Sequence, residues 1–167
     1  MATPRRKKRP PLLDEAEDRA PPVTERRLVR LYQYWLAQRG ARRMPSRADI
    51  DPLEMRFILG HLMLIDVSHP GPEFRVRLQG SELSWWIGQE LTGMNLSDVP
   101  SLDLETLARR QFEHVVATAE PLGWIGNDAI DGIRRQYQAI ILPLSSEGKF
   151  VDLLMVAVRC GSGEPGI

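Results

Sequence analysis

The sequence predicts an α+β domain: a five-stranded antiparallel sheet with helices on one face and an N-terminal amphipathic helix. Three observations predict it. Two strand-like segments precede a helical middle and three follow it, an order that closes into one antiparallel sheet. Two of the five, residues 62–67 and 150–158, are apolar at both parities, which places them in the sheet interior with both faces covered. Finally, an amphipathic helix stands ahead of the first strand and supplies a cover for the face that the helical middle leaves open.

Taken in order, residues 1–22 read as a disordered tail. Pro4, Pro10, Pro11, Pro21 and Pro22 oppose regular structure, and the basic run RRKKR (5–9) is followed by Asp14, Glu15, Glu17 and Asp18. The next stretch is periodic. Leu28, Leu31, Tyr32, Trp35 and Leu36 follow i, i+3, i+4, i+7, i+8 spacing, with Arg26, Arg27, Arg30 and Gln33 between them, and Gly40 supplies the stop. Burying five such side chains offers about 8–15 kcal/mol as an upper bound, enough to dock the helix on its own sheet or on a partner's.

Asp51 as N-cap, Pro52 at the first helical position and Glu54 after it start a second helix, which Gly60 keeps short. LMLIDV (62–67), the turn His69-Pro70-Gly71-Pro72 and the alternation Phe74, Val76, Leu78 against Arg75, Arg77, Gln79 form a hairpin. Residues 81–100 hold short helical pieces broken at Gly88 and Gly93. A long helix runs from about Leu102 to Ala119, apolar at Leu104, Leu107, Ala108, Phe112, Val115 and Ala119. Strands follow at 121–128, 135–144 and 150–159. Asn127, Asp128, Asp131 and Gly132 read as one turn and Ser145-Ser146-Glu147-Gly148 as another, with a frayed end over 161–167.

Composition bounds the function. With 167 residues, 43% hydrophobic and 26% charged, the chain is sized for one domain with a core. No apolar run approaches the roughly 20 residues of a membrane-spanning helix, and no secretory signal is visible, so a cytoplasmic location is expected. A single cysteine, Cys160, forms no internal disulfide. The zero net charge hides an asymmetry: residues 1–30 hold nine Arg/Lys against five Asp/Glu. The basic tract supports one alternative function, a nucleic-acid- or anion-binding module, because Lys/Arg clusters gain affinity by releasing counterions.

Several stretches resemble a bacterial group of small stand-alone PAS-like proteins: YWLAQRGARRMPSRADIDP (34–52), HLMLIDV (61–67), FRVRLQGSEL (74–83), GQELTGMNL (88–96) and ILPLSSEGKFVDLLMVAV (141–158). The resemblance spans about residues 28–159 and assigns 23–160 to a PAS-like domain. It implies a five-stranded PAS sheet, a helix-lined pocket on its inner face and an N-terminal helix used in dimer contacts. It also implies a sensory or regulatory role through a small ligand or a protein partner.

Candidate sites follow from that frame. Trp85, Trp86, Phe112, Val115, Trp124 and Tyr137 are the ligand-pocket candidates. Since Trp85 and Trp86 are adjacent on a helix, only one can point fully inward. Leu28, Leu31, Tyr32 and Trp35 are the candidates for a partner or dimer helix. No cofactor is indicated. Haem would use a histidine on the long helix, but His114 sits at the edge of the apolar stripe beside Arg110, and axial ligation needs a ligand inside an apolar pocket. Flavin–cysteine photochemistry needs a cysteine in the central helices, whereas Cys160 follows the last strand. His61, Asp66 and His69 lack metal-ligand spacing. With no nucleophile elbow, phosphate-binding Gly loop or HExxH, catalysis is not expected. The reading is a non-catalytic sensory domain, with a homodimer or protein partner and a small apolar ligand.

Overall fold

The computed structural model describes residues 21–160. The predicted tail over 1–22 and the frayed end over 161–167 lie outside these residues, except Pro21 and Pro22. Pro21 is already buried, packed above Gly123.

The elements are α1 (Arg26–Arg39), β1 (Leu62–Ser68), β2 (Glu73–Gln79), α2 (Ser81–Ile87), α3 (Leu102–Thr118), β3 (Leu122–Ile130), β4 (Ile133–Leu144) and β5 (Leu153–Cys160). The strands form one antiparallel sheet in the order β2-β1-β5-β4-β3. β5 is the central strand and β1 its neighbour. These are the two segments apolar at both parities, as burial on both faces requires.

The inner face carries α2, α3 and the connecting turns; α1 lies on the outer face. Leu28, Leu31 and Trp35 are fully buried on α1, and Trp35 Nε1 donates to the Pro143 carbonyl at 2.9 Å. Glu25 caps the helix by accepting from the Arg27 and Leu28 amides, and Gly40 ends it. Of the two roles open to this stripe, Leu28, Leu31 and Trp35 serve the chain's own core, which corrects their assignment to a partner surface. Tyr32 is half-buried and stacks on Trp35 at 6.3 Å.

Between α1 and β1 the chain makes short 3-10 turns. Asp51 caps the turn Pro52–Met55 as its sequence predicts, while Ser46 and Asp49 form a capping box one turn earlier. At the β1–β2 hairpin the register slips between Leu64 and Ile65. Phe74 and Val76 face inward as their alternation predicts, but the bulge reverses the parity beyond them. Leu78 therefore lies outward and exposed, and Gln79 is buried inside, its amide bonded to the Gln89 carbonyl and the Leu91 amide.

The second half departs from the sequence reading at its turns. Asn127 and Asp128 belong to β3, and the loop shrinks to Asp131-Gly132, both with positive φ (52° and 79°). That is the mirror-image turn matching the twist of paired strands, for which Asp-Gly is a favoured pair. Cys160 is the last residue of β5 and pairs with Tyr137, one residue beyond the strand end that the spacing predicts.

Candidate ligand site

The site is built from period-two alternation on the sheet and the apolar stripe of α3. Trp124 and Ile130 on β3, Tyr137 and Ala139 on β4, Val156 and Val158 on β5, and Met63 and Ile65 on β1 all point to the inner face. Ser101 caps α3 by accepting from the Leu104 amide at 3.2 Å, and α3 lays Leu104, Leu107, Ala108 and Phe112 above that floor. Leu83, Trp86 and Ile87 of α2 close one side with Leu91, Leu96 and Val99. They line a partly open cavity of about 100 Å³ whose lining side chains are apolar except for Gln111 and the ring heteroatoms of Trp86, Trp124 and Tyr137.

A second recess of about 270 Å³ adjoins it and shares Trp86, Ile87, Leu91, Val99, Leu104 and Ile130. It adds Gln89, Ser101, Asp131 and Arg135, so an apolar chamber opens into a polar mouth. The mouth is tied across its rim. The Ser101 hydroxyl donates to Asp131 Oδ1 at 2.9 Å, and the Asp131 amide donates to Asp103 Oδ2 at 2.9 Å.

Tyr137 is the hub of the chamber wall. Its ring meets Trp86 edge-on at 5.6 Å and Trp124 at 6.3 Å. Trp124 Nε1 donates to the Tyr137 hydroxyl at 3.1 Å, which in turn donates to Asp128 Oδ2 at 2.6 Å. Burial, reinforced by the Asp128 hydrogen bond, pushes the Tyr137 phenol up to about 12, so it stays a neutral donor at physiological pH. Cys160, its neighbour on β5, has its thiol pushed up, chiefly by partial burial, with Arg135 and Arg159 acting in the opposite direction.

Four of the six pocket candidates line the cavity: Trp86, Phe112, Trp124 and Tyr137. The other two need correction. Trp85 is 72% exposed and points away, and Val115 is fully buried in the core beyond the cavity. Arg135 was missed. The signal was present, since Arg135 shares its parity with Tyr137 on one strand.

The remaining candidates stand elsewhere. His114 is exposed on α3 and lines neither recess. His69 Nε2 donates to the Val151 carbonyl, Asp66 pairs with Arg77, and His61 accepts from Arg159 Nη1 at 2.7 Å. Among the described residues no cluster of three or more His, Cys, Asp or Glu is placed to hold a metal ion, and no helix is long and apolar enough to cross a membrane.

On the outer face, the strands that line the chamber also hold the start of α1. The Gln138 side chain accepts from the Thr24 and Glu25 amides at 2.7 and 2.8 Å. Arg159 Nε donates to Glu25 Oε1 at 3.0 Å. Gln138 follows Tyr137 and Arg159 follows Val158, so consecutive residues face the cavity and the helix.

A sheet of this order, with a helix-roofed cavity on one face, agrees with the family comparison: the model of the PAS domain family matches residues 23–156. The chain belongs to the PAS domain family. Like other members, it carries a domain whose general role is sensory. Among solved structures it is similar to that of a point variant of RsLOV, at 14% identity and a TM-score of 0.45, covering 63% of this chain and 62% of that one. It is also similar to the PAS domain of Bordetella pertussis BvgS, at 16% identity and a TM-score of 0.45, covering 69% of this chain and 90% of that one. A search of curated proteins finds no match.

Proposed function

We propose that this PAS domain is a non-catalytic sensor that takes a small, largely apolar ligand into the chamber beneath α3 and reports occupancy through α1 to a second copy or a protein partner. The observation that carries the reading is the apolar cavity itself. Cavities of roughly 150 Å³ with aliphatic and aromatic walls stay dry and accept small apolar molecules. A void of this kind in a packed interior forfeits contacts that a ligand restores.

The route to α1 runs through single residues. A ligand that shifts Tyr137 or Val158 acts on the same strand segments whose next residues, Gln138 and Arg159, hold Thr24 and Glu25. The ligand then favours one docking arrangement of α1 by its differential affinity for the two states. The basic tract at 5–9, which motivated the nucleic-acid alternative, lies outside the described residues, and no observed feature favours that reading.

The test is native mass spectrometry of freshly purified protein together with titration of tryptophan fluorescence by the neutral apolar probe N-phenyl-1-naphthylamine. Saturable quenching with energy transfer from Trp86 and Trp124 supports the reading, and its loss in a cavity-filling Ala139→Leu variant locates the probe. A folded wild-type protein that binds neither a co-purified molecule nor the probe overturns it.

A further inference from the structure

We propose that the ligand is an amphipathic anion whose apolar body fills the inner chamber and whose carboxylate meets Arg135 at the mouth. This rests on the chamber being the ligand site and adds the chemical class.

Arg135 stands on the inner face of β4, half-buried, with its guanidinium 4.9 Å from the centroid of the Trp86 ring. Its Nη1 donates to the Trp86 carbonyl at 2.8 Å, the only hydrogen bond its side chain makes among the described residues. A guanidinium has five N–H donors in a planar fork suited to a carboxylate, so most of its capacity is unused. The nearby carboxylates are engaged elsewhere. Asp128, its Cα partner across the hairpin, accepts from Tyr137, and Asp131 accepts from Ser101. Among the described residues Arg135 makes no ion pair.

The position of this cation matters as much as its freedom. The inner chamber offers an apolar body no charged partner, whereas the adjoining recess is lined by Arg135 at one wall and by Gln89 and Ser101 nearby. Trp86 belongs to both, so a molecule resting on its ring inside lies next to the guanidinium at the rim. The stacking and the bond to the Trp86 carbonyl hold that guanidinium in place before a ligand arrives, which reduces the ordering cost of binding. A charge-assisted, two-pronged contact at a half-buried site is the stronger kind of hydrogen bond. Asp131, exposed and held by Ser101, disfavours a second negative charge near the turn and so favours a monoanion.

The experiment displaces N-phenyl-1-naphthylamine with decanoate, decanol and decylamine, which share one tail and differ in the head. Decanoate is expected to compete at least about tenfold better than decanol, with decylamine weakest. In Arg135→Gln the acid-to-alcohol preference collapses toward one, and Arg135→Lys retains a preference. Equal competition by decanoate and decanol in the wild type overturns the anionic class while leaving the chamber as a ligand site. An Arg135→Gln variant that weakens acid and alcohol by the same factor overturns the contact and leaves Arg135 a purely structural part. Failure of the neutral probe to bind the wild type removes the chamber reading itself, and this proposal with it.

Discussion

Gly126 on β3 lies directly opposite Tyr137 on β4, and the tyrosine ring fills the space a side chain at 126 would need. A Cβ there would stand 2.3 Å from Tyr137 Cζ and 2.5 Å from Cε1. The close approach lets a large aromatic ring lie flat across the neighbouring strand and reach both Trp124 and Asp128. Gly126→Ala is expected to push the ring toward the cavity, at a cost of about 1–3 kcal/mol from overpacking. Thermal unfolding and probe binding should fall together; a variant with wild-type values for both would show that the ring has room to move.

The hydroxyl of Tyr137 sits between Trp124 Nε1 and Asp128. Removing it in Tyr137→Phe takes away both bonds and is expected to cost about 1–3 kcal/mol, since the partners lose their pairing in a half-buried place. Asp128→Asn works in the opposite direction on the phenol. Without the carboxylate, the Tyr137 ionisation should move down from about 12 toward the usual tyrosine value, read by ultraviolet titration with Tyr137→Phe as the blank.

Trp35 tests whether α1 belongs to the chain's own core. Trp35→Ala is expected to cost about 3–5 kcal/mol, the range for deleting a buried large aromatic, whereas Tyr32→Ala should cost much less. Because Trp35 contacts Pro143 of the same chain, the loss should be equal at all protein concentrations. A midpoint that rises steeply with concentration in the wild type and not in Trp35→Ala would place this side chain at a subunit contact instead.

His61 makes the outer-face cluster pH-sensitive. Burial first, and the Arg159 guanidinium second, hold the imidazole below its usual value of 6.5. The unfolded chain therefore binds the proton more readily than the folded one, and stability is lost as the pH falls from 6.5 through the folded value. Denaturant midpoints should decline between about pH 7 and pH 5, and His61→Gln should flatten that decline. The depressed carboxyls of Asp49 and Glu90 act only at lower pH, below their usual 3.8 and 4.5. A slope unchanged in His61→Gln would assign the effect to another group.

Ser101 joins the cap of α3 to the rim of the mouth, accepting from the Leu104 amide and donating to Asp131. Ser101→Ala should cost about 1 kcal/mol through the lost cap. Amide exchange in the first turn of α3 and at Asp131 should both quicken; exchange confined to the helix would mean that the rim is held by Asp103 alone.

Most of the fold was legible because it rests on periodicity. Apolar residues at both parities marked β1 and β5 as interior strands, and 3.6-residue spacing marked α1 and α3. The misreadings share another cause. Leu78 lost its inward place to a bulge, and a slip of one residue reverses every position beyond it. Trp85 and Trp86 could not be ranked, since neighbours on a helix compete for one inward direction. Val115 and Phe112 share a stripe, but only Phe112 reaches the cavity, because an apolar stripe is wider than the gap it roofs.

By itself the sequence determined the element order, the buried strands and the antiparallel sheet, because backbone geometry converts residue spacing directly into faces. Tertiary structure alone decided that α1 packs on its own sheet, that Gly126 admits the Tyr137 ring, and that Arg135 stands without an ion-pair partner among the described residues, at the mouth of an apolar chamber. Those facts depend on which residues of different strands come opposite one another. For β3 and β4 that register is set by the Asp131-Gly132 turn, and spacing along one strand does not carry it.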